Sequence, residues 1–278
     1  MFSSFTQSTL AASGSKTSSL PLFHDKAFIV TGCSSPLGRA IALHLAQHGA
    51  NLALCDGDRD PASSLLQELG DMSDALPSEL AFHFVFSCFD ALDPSAVQRF
   101  VNSVFKKYTG LTGLVCCTEP AASYTSFEDI DMQSYDRSMG QVKRVFLFNQ
   151  SFVSNVLVLR QHIPAPTGGY SIVNIGSVYG KTGGSVAESA AKHAIHGLTK
   201  SVAKEHGKSS IRANVVAPGL FETPTLQRLT QGAVDPTFLP MKRVASHQEV
   251  ATCVKFLLSN ESSYMTGTEQ LLDGGWLA

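Results

Sequence analysis

Charge is scarce and balanced in this chain of 278 residues. Only 16% are Asp, Glu, Lys or Arg, and the formal net charge is −2. There is no basic block, so electrostatics gives no support to nucleic acid or an anionic membrane as partner. No apolar run approaches the roughly 20 residues that a transmembrane helix requires, which argues against a membrane-spanning protein. Cys-x-x-Cys spacing is missing too. The six cysteines stand at positions 33, 55, 88, 116, 117 and 253, mostly inside apolar runs. They predict free buried thiols of a reducing compartment, the cytoplasm, and not a disulfide framework or a zinc site. His44 and His48 are four apart on a predicted helix with no third ligand in view, and are read as a solvated helix face. Residues 1–20 are Ser/Thr-rich with Lys16 as their single charge, and carry neither the apolar core of a secretory signal nor the arginines of a transit peptide. A flexible arm over 1–21 and one domain over 22–278 are expected. At 44% hydrophobic the chain can bury a large core and is not disordered throughout.

What is present is alternation. Short apolar runs at Ala27–Val30, Asn51–Cys55, Ala81–Phe86, Leu114–Cys117, Ser171–Ile175, Ile211–Val216 and Glu269–Leu272 alternate with helical patterns. The helices are expected at Leu37–His48, Ser95–Tyr108, Gln133 to about Arg160, Val186–His206 and Gln248–Leu258. Continuous apolar strands between amphipathic helices predict an α/β, doubly wound parallel sheet of about seven strands, Rossmann-like, covered on both faces. Ligands of such a sheet bind at the carboxyl ends of the strands.

The segment Thr31-Gly32-Cys33-Ser34-Ser35-Pro36-Leu37-Gly38 follows the first strand and opens the first helix. Small residues there let main-chain N–H groups approach a pyrophosphate, and a helix N-terminus favours its charge. Asp56 closes the second strand, 24 residues after Gly32. A carboxylate there bonds ribose hydroxyls and repels a 2′-phosphate, which favours NAD over NADP; Arg59 softens that preference. Asp90 follows the third strand, where an adenine edge would lie.

These motifs resemble those of the short-chain dehydrogenase/reductases. Thr31-Gly32 with Gly38 is similar to their TGxxxGxG loop, and Asn174-Ile175-Gly176-Ser177 to the strand bearing the catalytic serine. Asn214, Pro218, Gly219 and Thr223 match the N…PG…T segment that cradles the nicotinamide half, and Asp273-Gly274-Gly275-Trp276 matches the C-terminal signature. The resemblance covers residues 22–278. It implies cofactor contacts at Gly32, Ser34, Ser35, Leu37, Gly38, Asp56, Asp90, Lys192, Pro218, Gly219 and Thr223, and a homodimer or homotetramer paired through long helices near 133–160 and 186–206.

Four departures stand against the match. Pro36 replaces the middle glycine of the loop, where a proline at the first helical position is tolerated because its missing N–H has no partner there anyway. Cys116-Cys117-Thr118-Glu119 replaces Asn-Asn-Ala-Gly after the fourth strand. The helical asparagine that holds a relay water has Gln141 or Val142 in its place. Most consequential, the family's Tyr-x-x-x-Lys reads Glu188-Ser189-Ala190-Ala191-Lys192. Ser177 and Lys192 remain while the phenol is gone. A carboxylic acid in water titrates at about 4, a poor match for protonating an alkoxide at pH 7. It is better suited to taking a carbon-bound proton or steadying an iminium.

Tyr179, two residues after Ser177, and Tyr124 are the tyrosines nearest the expected site. Tyr179 is the stronger candidate, though a pocket wall suits it better than proton donation. His193 and His196 are expected on the far helix faces or at a subunit interface. The catalytic candidates are thus Ser177, Glu188, Lys192 and Tyr179. The expected function is nicotinamide-dependent oxidoreduction of an apolar small molecule, in natural-product metabolism, with an altered proton relay. The alternatives are a non-redox cyclase, isomerase or epimerase on the same fold, or a catalytically dead nucleotide-binding protein. The segment from Leu220 to Arg243 is expected to form an apolar lid over the substrate.

Overall fold

Strand β1 (Ala27–Thr31) alternates Phe28 and Val30 toward one face with Ala27 and Ile29 toward the other, and all are buried. That double burial sets the architecture, because each face must carry its own layer of helices. The computed structural model describes residues 20–118, 126–222 and 236–278; the expected arm lies, up to residue 19, outside the described residues. Six further strands are described: β2 (Asn51–Asp56), β3 (Phe84–Cys88), β4 (Leu111–Cys116), β5 (Tyr170–Ile175), β6 (Ile211–Pro218) and β7 (Glu269–Leu272). All pair in parallel in the order β3-β2-β1-β4-β5-β6-β7. The seven-stranded sheet with helices on both sides is the doubly wound fold that the alternation predicts.

One face is covered by α1 (Pro36–Gln47), α2 (Ser63–Asp74) and α6 (His247–Leu258), which pack Ile41, Leu45, Leu65, Leu69, Val250 and Val254 against Phe28 and Val30. The other is covered by α3 (Pro94–Lys107), α4 (Met132–Leu159) and α5 (Val186–His206), through Val97, Val101, Phe148, Phe152 and Ile195. The strand order reverses between β1 and β4, which opens a crevice at their carboxyl ends.

Three local readings are corrected. Helix α2 was not expected, although Leu65 and Leu69 are buried in the core and Leu66 and Met72 pack against it. The third strand starts at Phe84 and not at Ala81, because the His83 amide is taken by the Asn51 side chain at 2.7 Å before the ladder begins. His44 is not solvated: it is buried where α1 meets α6, 2.6 Å from the Gln248 amide nitrogen, with its ring edge-on to His48.

Candidate active site

The turn from β1 into α1 is as tight as main chain allows. Gly32 has φ +62°, and a Cβ there would stand 2.5 Å from the Cys117 carbonyl oxygen. A Cβ on Gly38 would stand 2.1 Å from the Gly32 carbonyl oxygen. Ser35 is the N-cap: its hydroxyl accepts from the Gly38 amide at 3.0 Å and donates to the Gly32 carbonyl at 2.8 Å. Pro36 occupies the first helical position, so the departure from glycine leaves the turn intact. Leu37 is buried in the core, which leaves only its main chain for a ligand. Asp56 faces this turn. Its Oδ2 accepts from the amide and hydroxyl of Ser34, at 2.9 and 2.5 Å, and its Oδ1 from the Gly57 amide at 2.7 Å. A cleft of about 160 Å³ follows, lined by Thr31, Gly32, Asp56, Asp90, Thr118 and Arg144 among others. Two glycines that exclude a Cβ, a capped helix N-terminus and a carboxylate at the end of β2 fit a dinucleotide.

The second half of the site is built from side chains. Glu188 and Lys192 lie one turn apart on α5 and are only 3% and 1% exposed. The Lys192 ammonium is 3.5 Å from Glu188 Oε1 and donates to the Thr118 hydroxyl at 3.0 Å. Thr118 in turn donates to the Ile175 carbonyl at 3.1 Å. On the other side, Gln141 Nε2 donates to Glu188 Oε2 at 3.1 Å. The open alternative at the helical asparagine position is thereby resolved: Gln141 faces the site, and Val142 packs on the hydrophobic core. Beneath this chain Asn149, Asn174 and Thr199 tie α4, β5 and α5 together, with Asn149 donating to Asn174 at 3.0 Å and Asn174 to Thr199 at 2.9 Å.

Ser177 heads a short helical turn, Val178–Gly180, and its hydroxyl accepts from the Tyr179 amide at 3.2 Å. The Tyr179 ring lies edge-on to Trp276, centroids 6.1 Å apart, and Phe238 meets the same indole at 5.6 Å. Pro218 ends β6, and the Gly219 amide donates to the Leu272 carbonyl at 3.0 Å; a Cβ on Gly219 would press on Asp273 at 2.9 Å. Glu119, Tyr124, Thr223 and the lid residues 224–235 lie outside the described residues.

His196 corrects its expectation. It is 3% exposed and faces the sheet behind Ser177, not a far helix face or a subunit interface. Burial lowers its pKa to about 4, opposed by the Glu269 carboxylate. Thr118, Asn149 and Arg144 were not singled out from the sequence. Thr118 had a signal, since it stands in the substituted Asn-Asn-Ala-Gly stretch. Asn149 and Arg144 had none beyond their place on α4.

The sheet order and the cleft at its reversal define a Rossmann-type dinucleotide-binding fold. A family profile described as Enoyl-(Acyl carrier protein) reductase matches residues 32–277. The (3R)-3-hydroxyacyl-CoA dehydrogenase of Canis lupus familiaris is 30% identical over 252 residues, covering 89% of this chain and 94% of that one. Short-chain dehydrogenase/reductase aba4 of Botryotinia fuckeliana (strain B05.10) is 31% identical over 264 residues, covering 91% and 97%. The crystal structure of levodione reductase superimposes with a TM-score of 0.79 at 26% identity, covering 91% of this chain and 98% of that one. The chain belongs to the short-chain dehydrogenase/reductase family and is an enzyme of its NAD(P)-dependent class. Among the described residues no helix is long and apolar enough to cross a membrane.

Proposed function

We propose that the protein transfers hydride between a nicotinamide dinucleotide, NAD in preference to NADP, and an apolar small molecule of natural-product metabolism, with Glu188 standing where the family has its phenol. The observation that carries this reading is the buried chain Gln141–Glu188–Lys192–Thr118, whose Thr118 end lines the nucleotide cleft. Relatives named dehydrogenases and reductases support hydride transfer. Asp56 supports NAD, because its carboxylate at the cleft repels a 2′-phosphate. Tyr179, Phe238 and Trp276 support an apolar substrate. Phe146 and Val158, exposed on α4, support helix pairing in a homodimer or homotetramer. None of the six cysteines is in a disulfide among the described residues, in keeping with the reducing cytoplasm.

The nicotinamide, when bound, supplies the hydride chemistry. The chain's own residues do the rest. The Ser177 oxygen already accepts from the Tyr179 amide, so its hydroxyl proton remains to be donated to a substrate heteroatom. Lys192 is held on two sides, by the Thr118 hydroxyl and the Glu188 carboxylate. Glu188 accepts an amide N–H from Gln141 and faces the Lys192 ammonium at 3.5 Å. A substrate that needs little acid help during hydride transfer, such as an iminium, suits that arrangement. The same carboxylate favours a second reading, removal of a carbon-bound proton in a non-redox isomerisation or cyclisation.

Titration with NADH and NADPH, followed by nicotinamide fluorescence, tests the cofactor reading. Tighter binding of NADH is expected, and silence with both overturns it. Glu188→Gln is expected to cost at least about 10²-fold in turnover of any substrate found, the lower range for loss of an acid–base group. Glu188→Tyr is expected to gain reduction of apolar ketones. An unchanged rate in both variants removes Glu188 from the relay.

A further inference from the structure

A second charged cluster lies behind Ser177, separate from the Glu188–Lys192 pair. Glu269 opens β7, and its side chain is only 7% exposed. Its Oε2 meets Lys181 Nζ at 2.8 Å, and its Oε1 meets Lys200 Nζ at 2.6 Å and His196 Nδ1 at 3.5 Å. These partners come from two places. Lys200 and His196 lie one turn apart on α5, whereas Lys181 closes the Val178–Gly180 turn that begins at Ser177. The carboxylate therefore ties the catalytic turn to the sheet edge and to the helix beneath it.

The imidazole sets the height of that turn. A Cβ on Gly176 would lie 2.3 Å from His196 Nε2, and one on Gly180 2.4 Å from His196 Cε1. Main chain on both sides of Ser177 thus rests on the ring. Among the described residues neither ring nitrogen makes a hydrogen bond, so the ring acts as a packed spacer and not as a proton carrier. The charged and titratable groups around it are Glu269 of β7 and Lys192, His193 and Lys200 of α5. Above the turn, Tyr179 rests on Trp276.

We infer that Glu269, Lys181 and His196 are positioning residues that clamp the Ser177 turn at a fixed height over the substrate site. The inference rests on Ser177 as the substrate-facing donor. No acid–base role is assigned to the three.

Trp276 is the single tryptophan of the chain and touches Tyr179 within the turn, so its fluorescence reports the turn without any substrate. Lys181→Met removes the tie on the turn and leaves β7 and α5 intact. Lys200→Met removes the other lysine on the same carboxylate but none of the turn's own anchors. The expected result is a red shift of Trp276 emission and stronger acrylamide quenching in Lys181→Met and Glu269→Gln, reversed in Lys181→Arg, with Lys200→Met close to wild type. Equal signals in Lys181→Met and Lys200→Met, or no change in Lys181→Met, overturn the clamp, since a role confined to the sheet edge moves both lysine variants alike. Should Glu269→Gln fail to fold, the two lysine variants decide alone. NADH binding is read separately by nicotinamide fluorescence. A wild type that ignores NADH defeats the proposed function while the Trp276 comparison still judges the clamp.

Discussion

The two ends of the crevice are held together by different means. At the nucleotide end the working atoms are main chain, arranged by glycines with no room for a Cβ and by the Ser35 cap. At the catalytic end they are buried side chains in series, from Gln141 through Glu188 and Lys192 to Thr118. The sequence resemblance implies a break in the family pattern at both ends, with unlike consequences. Pro36 replaces a glycine where the helix needs no N–H, and nothing else has to change. Glu188, which we propose stands in the place of a phenol, sits in a buried polar network, and on the same resemblance Gln141, which contacts its second oxygen, is a second departure. Two departures 47 positions apart are bonded at 3.1 Å and form one unit. Geometry made from main chain absorbs a substitution singly; a buried polar network takes it in pairs.

Lys192→Met presses hardest on that contrast. It leaves Glu188 buried beside Gln141 without its ammonium, and removal of one partner of a buried pair costs about 3–5 kcal/mol. Urea unfolding is expected to show that loss, together with loss of turnover. Gly38→Ala comes next. Its Cβ would collide with a main-chain oxygen that cannot swing aside, an overpacking cost of about 1–3 kcal/mol. Here the larger consequence is loss of NADH binding, read by nicotinamide fluorescence. Should Gly38→Ala bind NADH normally, or Lys192→Met unfold no more easily than wild type, the division between a main-chain end and a side-chain end collapses.

That division also explains what the sequence disclosed. Seven strands, their parallel pairing and the β1–α1 turn were legible because burial on both faces, glycine spacing and a Ser35–Pro36 helix start are local signals. Motif register pointed to Ser177, Glu188 and Lys192, and the last two lie together on α5. The contact between Gln141 and Glu188 was not, since nothing in a one-dimensional pattern fixes whether residue 141 or 142 faces α5. His196 was misplaced for a related reason. On α5 it looked like one of several polar residues, and its burial depends on Gly176 and Gly180, whose missing side chains leave the space it fills. Helix α2 was legible in principle, since Leu65, Leu69 and Met72 recur at helical spacing.

At neutral pH the smallest expected effect concerns how dry the space beneath the catalytic turn is. Burial holds the folded-state pKa of His196 near 4, against 6.5 for the free group. Below pH 6.5 the unfolded chain takes up a proton there that the folded chain refuses, so stability is complete above pH 6.5 and declines as pH falls toward 4. His44 and His247, also lowered by burial, add slope of the same sign, so the informative quantity is the difference between wild type and His196→Asn. Glu269, pushed up by burial but drawn down to about 2 by Lys181 and Lys200, loses its contribution only between about 4.5 and 2. Urea unfolding at steps between pH 7 and 4 is expected to show a shallower decline in His196→Asn, by no more than one proton's worth, about 1.4 kcal/mol per pH unit. Equal slopes would mean that the folded protein already protonates His196 in this range. Water would then reach the ring, the turn over it would not be sealed, and the catalytic half would be no more closed to solvent than the open nucleotide cleft.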